Sequence, residues 1–219
     1  MNVILFGATG MVGQGVLREC LLDRDIQQVL TVGRSATGQQ HPKLRELTVP
    51  DLMDLTAVEP QLTGYDTCSF CTGASSAGMT EEEYTHVTYD LTLSVAQTLA
   101  RLNLNMTFLY ISGAGTDSTE KGRSMWARVK GRTENALLRL PFKSAYMFRP
   151  GFIQPLHGIR SKTRLYQFLY DILAPIQPLL KGRLPKYITT TEQLGRAMIT
   201  VAKNGYPKPI LESLDINAV

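Results

Sequence analysis

The sequence lacks the features that mark several classes of protein. Its three cysteines, an odd number, give no disulfide framework, so we expect a reducing compartment. The three histidines, His41, His86 and His157, are scattered and form no ligand cluster with the cysteines, so we expect no metal site. No uninterrupted apolar run is long enough to cross a bilayer, and the first residues have no basic region typical of a signal peptide. These absences predict a soluble, cytoplasmic protein.

Cys68 and Cys71 have the spacing of a redox or metal-binding pair. Both fall in the apolar run Thr67 to Cys71, which predicts a strand. Residues three apart on a strand point to opposite faces of the sheet. We therefore expect neither a redox dithiol nor a metal site here.

The length of 219 residues is that of one large domain. We predict a single domain over residues 1–219, with residues 151–187 as a small lid-like insertion. The net positive charge of the chain, +4, comes from that insertion. It contains one acidic residue, Asp171, and six basic residues, Arg160, Lys162, Arg164, Lys181, Arg183 and Lys186. Such a segment is compatible with an anionic substrate, cofactor phosphates, an anionic membrane or simply solvent.

Two kinds of partner have little support. The basic residues are not interleaved with an aromatic stacking platform, so we expect no nucleic acid. The apolar stretch Leu165 to Leu180, with its basic flanks, is an alternative site for membrane docking. Pro175 and Pro178 interrupt it, which argues against a continuous amphipathic helix at a membrane surface.

A glycine-rich turn follows the first apolar strand directly. The stretch from Val3, VILFGATGMVG, places Gly7, Gly10 and Gly13 three residues apart before a predicted helix from Met11 to Leu22. Gly7 suits a tight turn, Gly10 lets the main chain approach a pyrophosphate, and Gly13 lets the helix lie close to the strand. The helix N-terminus adds free N–H groups and a positive dipole end. The turn predicts a dinucleotide site.

The end of the second strand indicates which dinucleotide binds. The buried strand Val29 to Gly33 ends about twenty residues after the glycine turn, where an acidic residue would accept from the ribose 2'-hydroxyl of NAD. This chain has Arg34 and Ser35 at that point. A guanidinium attracts the 2'-phosphate of NADP through forked, charge-assisted bonds. We therefore predict NADP(H) as the cofactor.

Predicted strands and helices alternate along the rest of the chain. This alternation indicates the α/β class, with a doubly wound parallel sheet of the Rossmann type and a small C-terminal lid after Gly151. The capping box of Thr80 and Glu83 marks one helix start. The remaining predicted strands are Leu44 to Val49, Asp66 to Cys71, Met106 to Ile111 and Ser144 to Phe148. The remaining predicted helices run from Thr80 to about Asn103 and from Lys121 to Leu140, and a final helix starts near the threonines Thr189 to Thr191.

Ligands of open parallel sheets bind beyond the carboxyl ends of the strands, and the motifs found there have a family resemblance. GATGMVG, VGRS, CTGAS, YISGAG, WARVKGRTENAL and RPGFI resemble the short-chain dehydrogenase/reductase superfamily, in particular its atypical, epimerase-like branch that includes the Tat-interacting-protein-type oxidoreductases. The resemblance covers about the first 155 residues. It implies an NAD(P)-binding Rossmann fold and hydride chemistry.

The resemblance also implies the catalytic residues, with one departure. Ser112 corresponds to the family's serine and Lys130 to the lysine of its Tyr-x-x-x-Lys pair, but the tyrosine position holds Trp126. Residues four apart on a helix share a face, so the side chains of Trp126 and Lys130 would both face the nicotinamide ribose. An indole donates a hydrogen bond but is no general acid near neutral pH. Three alternatives remain open. Lys130 or a relayed water supplies the proton, or another residue such as Tyr110 or a lid group supplies it, or the protein turns over no substrate.

The remaining binding residues are carried over from the same resemblance. Lys130 would also hold the ribose hydroxyls. The other positions are Thr9, Met11 and Val12 for the pyrophosphate, Asp51 and Leu52 for the adenine, Cys71, Thr72, Gly73 and Ala74 for the ribose and nicotinamide side, and Pro150, Gly151 and Phe152 for the carboxamide.

Two functions follow as hypotheses. The strand-end motifs favour an NADPH-dependent oxidoreductase that acts on a small carbonyl compound or a related small molecule. The tryptophan at position 126 favours a non-catalytic NADPH-binding protein whose bound state is read by a partner. The sequence leaves the oligomeric state open; the resemblance implies one route to a homodimer, in which the helices that start near Thr80 and Lys121 pair across a two-fold axis.

Overall fold

Seven parallel strands form the central sheet of the computed structural model, which describes residues 1–159 and 188–219. Their spatial order is β3-β2-β1-β4-β5-β6-β9, and every neighbouring pair is parallel. The strands are β1 (Asn2–Phe6), β2 (Gln28–Gly33), β3 (Leu44–Thr48), β4 (Thr67–Phe70), β5 (Thr107–Ile111), β6 (Ser144–Arg149) and β9 (Ile210–Glu212). A separate two-stranded sheet pairs β7 (Phe152–Gln154) with β8 (Ile188–Thr190). The predicted Rossmann-type α/β fold is confirmed.

Helices cover both faces of the sheet, so side chains on both faces of its central strands are buried. The helices are α1 (Met11–Leu22), α2 (Glu81–Thr85), α3 (Leu91–Leu102), α4 (Met125–Leu137), α5 (Thr191–Asn204) and α6 (Ser213–Ala218). On one face α1 and α5 close a core that includes Val16 and Met198. On the other face α3 and α4 close a second core that includes Val95, Leu99 and Leu137.

Some element boundaries differ from the prediction for local reasons. The helix expected from Lys121 begins at Met125, because the Asp117 carboxylate accepts bonds from the backbone of Thr119 and Gly122 and holds the preceding loop out of the helix. The capping box of Thr80 and Glu83 is present as predicted. The helix that follows it has three parts, however, since a π-helical turn (His86–Asp90) separates α2 from α3. The short strand β9 was not predicted.

Much of the predicted lid falls outside the described residues. This applies to the six basic residues, from Arg160 to Lys186, and to the apolar stretch Leu165 to Leu180. Strand β7, at the start of the insertion, pairs in parallel with β8, which directly follows the insertion. In the part of the chain that the structure describes, no helix has the length and apolar character needed to span a membrane. The single-domain organisation stays a prediction.

Candidate functional site

A cleft opens at the carboxyl ends of β1, β2 and β4. This is the point at which the strand order reverses, where ligands of doubly wound sheets bind. The cleft encloses a cavity of about 260 Å³. Its lining residues are Gly7, Ala8, Thr9, Gly10, Thr31, Val32, Gly33, Arg34, Ser35, Leu52, Cys71, Thr72 and Gly73. Nine of these were predicted as cofactor-binding residues; Ala8, Thr31, Val32 and Gly33 were missed, although they flank the predicted motifs.

The glycine turn forms the floor of the cleft. Gly7 has a φ of +80°, and a Cβ there would lie 2.6 Å from the Cys71 carbonyl. A Cβ on Gly13 would lie 2.1 Å from the Gly7 carbonyl oxygen, so the start of α1 is packed directly on the turn. Met11, Val12 and Gly13 form the first turn of α1 and do not line the cavity themselves. No side chain in residues 1–159 or 188–219 caps this turn at Gly10, which leaves its first N–H groups available to a ligand.

Arg34 and Ser35 line the cavity immediately after β2, and both are exposed. None of the lining residues that the structure describes is a carboxylate. Leu52 is buried at the edge of the cavity. Asp51 is exposed outside the lining, and its carboxylate accepts a hydrogen bond from the Met53 backbone at 2.8 Å. The structure therefore brings Arg34, Ser35 and Leu52 into the cleft without Asp51.

The hydroxyl of Thr72 lies beside Gly73 in the lining of the cavity. Its Oγ1 is buried and has no hydrogen-bond partner among the described residues. An unsatisfied buried polar group costs about 1–3 kcal/mol, so this hydroxyl is suited to a ligand in the cavity. Gly73 lines the cavity beside it, whereas the exposed Ala74 does not.

The two cysteines of the Cys-x-x-Cys spacing lie on opposite faces of the sheet, as predicted. Cys68 is buried in the core on the α3 and α4 side, and Cys71 packs against the core on the α1 side. Burial raises the pKa of both thiols well above the usual range for cysteine. Both thiols are therefore protonated and inert at neutral pH.

A second group of predicted residues lies at the ends of β5 and β6. Ser112 is buried, and its Oγ lies 3.0 Å from the Oγ1 of Thr116. Because Thr116 donates its own hydrogen to the Gly113 carbonyl, Ser112 donates to Thr116. Trp126, in the first turn of α4, is half-buried with its ring against Gly115.

The residues expected at the carboxamide adjoin this group. The Pro150 carbonyl accepts a hydrogen bond from Ala114 N at 2.9 Å, and Gly151 N donates to Ser213 Oγ at 2.7 Å. Phe152 begins β7 and is half-buried. None of the three lines the 260 Å³ cavity.

Lys130 lies one turn after Trp126 on α4. Its Nζ is 3.5 Å from the Ile111 carbonyl oxygen and 5.2 Å from the centre of the Tyr110 ring. Burial lowers the pKa of Lys130 to about 8, and the nearby Glu134 carboxylate opposes that shift. Tyr110 is only 1% exposed in the core, where burial raises the pKa of its phenol. It is a packing residue and cannot substitute for the missing tyrosine.

A buried ion pair behind α4 was missed by sequence reasoning. Glu134 is fully buried, and Arg149 at the end of β6 donates its Nε to Glu134 Oε1 at 3.0 Å. Arg149 also donates to Ser118 Oγ at 2.6 Å and to Glu212 Oε1 at 3.2 Å. One side chain thereby ties α4, the loop before it and β9 to the end of β6. No local sequence pattern marks this pair, because its partners lie fifteen residues apart on a helix and a strand.

Comparison with known proteins gives distant relatives. No family model matches the sequence. A curated relative, "Protein fmp52-2, mitochondrial" of Aspergillus terreus, is 24% identical over 205 residues, which cover 91% of this chain and 85% of the relative. Among solved structures, the Bordetella bronchiseptica enzyme WbmF in complex with NAD+ is 16% identical with a TM-score of 0.69, covering 99% of this chain and 76% of that one. The UDP-N-acetylglucosamine 4-epimerase of Methanobrevibacter ruminantium, in complex with UDP-N-acetylmuramic acid, is 17% identical with a TM-score of 0.71, covering 96% and 75%.

The structural likeness confirms the expected doubly wound Rossmann-type fold. The predicted cytoplasmic location is contradicted, because this curated relative and others are named as mitochondrial proteins. That prediction was wrong because cysteine usage separates reducing from oxidising compartments and cannot tell one reducing compartment from another.

Proposed function

We propose, on the premise that this chain has the fold of the short-chain dehydrogenases/reductases, that it is an NADPH-dependent oxidoreductase acting on a small carbonyl compound or a related small molecule. The observation that carries the proposal is the composition of the cleft at the strand-order switch point. Four features lie around one cavity. They are the start of α1 at Gly10, the crowded turn at Gly7, the Thr72 hydroxyl, which has no partner among the described residues, and the Arg34 side chain.

These residues fit a nicotinamide dinucleotide. The first N–H groups of α1 would bind the pyrophosphate, and Thr72 Oγ1 would pair with a polar group of the ligand. Arg34 and Ser35 would hold a ribose 2'-phosphate, and the lack of a carboxylate in the described lining favours that extra charge. When bound and reduced, this cofactor supplies a hydride. We therefore propose NADP(H), not NAD(H), as the cofactor.

The residues at the ends of β5 and β6 would handle the substrate. Ser112 would turn its hydroxyl from Thr116 to the substrate oxygen, a hydrogen bond that stabilises charge developing there. Lys130 would hold the ribose hydroxyls from its place beside the Ile111 carbonyl.

NADPH binding is the first test of the proposal. We expect heat in calorimetry with NADPH, and a rise in melting temperature at millimolar NADPH, because a ligand at 100 times its Kd stabilises a protein by about 2.7 kcal/mol. Thr72→Val should weaken binding several-fold, because the unpaired hydroxyl is lost. If NADPH produces neither heat in calorimetry nor a rise in melting temperature, the proposed function is wrong.

A second candidate function is a non-catalytic NADPH-binding sensor. Trp126 favours it, because the residue stands where the family has its phenol and its ring packs on Gly115. In this alternative a partner reads the nucleotide-bound state, and no substrate is turned over.

Restoring the phenol separates the two functions. If the protein is an oxidoreductase that lacks its usual acid, Trp126→Tyr should raise carbonyl-dependent NADPH oxidation at least about tenfold, since a positioned acid contributes about 10²–10⁴-fold. Trp126→Phe, which has an aromatic ring of similar shape without the hydroxyl, is the matched control. A Tyr variant that binds NADPH and turns over none of a panel of aldehydes and ketones would favour the sensor.

A further inference from the structure

The proposed oxidoreductase needs a proton donor, and the described site has no phenol to provide one. The phenol that contacts Lys130 belongs to Tyr110, which is buried in the core with its hydroxyl beside Thr92 and Thr133. Tyr84 of α2 is 2% exposed in the same interior. An indole cannot give up its proton near neutral pH, so Trp126 is excluded as well.

Lys130 has the donors that this position requires. An ammonium group carries three N–H donors, and the described residues offer it one hydrogen-bond acceptor, the Ile111 carbonyl oxygen at 3.5 Å. Ile111 directly precedes Ser112 at the end of β5, so the amine lies at the end of the strand that presents the serine. Two of the three N–H donors of Lys130 therefore have no acceptor among the described residues.

The groups around Lys130 have opposing effects on the protonation of its amine. Glu134 is one turn away on α4, and Arg149 of β6 holds that carboxylate through two nitrogen atoms. On β5 the Tyr110 ring lies against the amine, and Tyr84 on α2 is close to Tyr110. Burial disfavours the ammonium while Glu134 favours it, so the group changes its charge near the pH at which the protein would work.

We propose that the ammonium of Lys130 is the proton donor of this site, and that Glu134, held by Arg149, is a positioning residue that keeps Lys130 charged. The inference rests on the proposed function and deepens it. As the carbonyl carbon receives the hydride, the C=O π bond breaks and the oxygen takes a proton from Nζ. The products are an alcohol, oxidised nicotinamide and a neutral amine, which recovers its proton from water.

The first test measures the protonation of Lys130 without any turnover. In protein carrying lysines labelled with carbon-13 at Cε, NMR should show one lysine that titrates near pH 8, and Lys130→Arg should remove that signal. Glu134→Gln should lower its midpoint by about one unit, because the carboxylate that favours the ammonium is lost. Glu212→Gln, which removes the exposed partner of Arg149, is the matched control and should leave the midpoint within a few tenths. A Lys130 signal that titrates together with exposed lysines would overturn the proposal.

The second test separates charge from proton transfer. Arginine keeps the positive charge but does not release a proton near neutral pH, so turnover of Lys130→Arg at saturating NADPH should fall about 10²–10³-fold. Saturation with NADPH keeps any change in cofactor affinity out of the measured kcat. In the wild type, kcat should fall as the pH rises above 8, because the donor must be protonated. If Lys130→Arg retains a third or more of the wild-type kcat, Lys130 is not the donor. If the wild type binds NADPH and turns over no carbonyl compound, the proposed function has failed, and the donor role fails with it.

Discussion

Arg34→Asp is expected to weaken NADPH binding at least about 100-fold while NADH affinity changes by no more than a few-fold. Arg34 lines the cavity after β2, where no described carboxylate offsets its charge. Its charge-assisted bonds to a 2'-phosphate are worth about 1.5–3 kcal/mol, and the new carboxylate adds repulsion. Each 1.4 kcal/mol corresponds to a factor of about ten in Kd. NADH has a 2'-hydroxyl instead, which a carboxylate can accept from.

Calorimetry with both cofactors at one salt concentration measures this effect. Arg24→Asp is the matched control, since it makes the same charge change at an exposed residue outside the cavity lining. It should leave both affinities within about twofold, because exposed charges beyond about 8–10 Å are largely screened at physiological salt. Equal losses of NADPH and NADH affinity in Arg34→Asp would contradict the assignment of Arg34 to the 2'-phosphate.

Gly13→Ala is expected to destabilise the protein by about 3 kcal/mol, near the upper end of the cost of inserting a methyl group into a packed interior. Its Cβ would lie 2.1 Å from the Gly7 carbonyl oxygen and 2.9 Å from the Cα of Ala8. Both of these are backbone atoms, so the cost cannot be relieved by a change of rotamer. The start of α1 must move away from β1, which also separates its N–H groups from the glycine turn.

Urea unfolding measures this cost, with two alanine variants for comparison. Gly113→Ala adds the same methyl group where, apart from its chain neighbours, no atom of the described part of the chain lies within 4 Å, so its free energy of unfolding should stay within about 1 kcal/mol of the wild type. Gly10→Ala meets only the Gly7 oxygen, at 3.3 Å, and should reduce NADPH affinity more than stability. A Gly13→Ala protein as stable as Gly113→Ala would show that α1 is not packed on the turn.

Local patterns predicted most of the sheet and its helices. The end residues of α1 match the prediction, because a glycine turn and an apolar stripe mark that helix in the sequence itself. The start of α4 was placed four residues too early. Residues 121–124 have no strong helix breaker apart from Gly122, and what holds them out of the helix is the Asp117 carboxylate. Asp117 is itself fixed from outside its own loop, by Asp117 N donating to the Ala127 carbonyl at 3.1 Å.

Some residues of the candidate site were also predictable from the sequence, and others were not. Glycine spacing and the arginine after β2 are local signals, and the residues they mark do meet in one cleft. The Arg149–Glu134 pair joins residues fifteen apart on β6 and α4, and the sequence did not reveal it. A buried ion pair has no periodic pattern, since each partner looks like an ordinary surface residue until the strand and the helix are packed together.

By itself, the sequence determined the doubly wound fold, the glycine turn at its switch point and the tryptophan in place of a tyrosine, because chain-local periodicity and residue type decide each of these. Only the tertiary structure decided which titratable groups face one another. It buried Tyr110, left the Thr72 hydroxyl without a partner among the described residues and placed Lys130 between an apolar interior and Glu134. The physical reason is that the pKa of a side chain depends on burial and on neighbouring charges, and both come from elements that are distant in the chain.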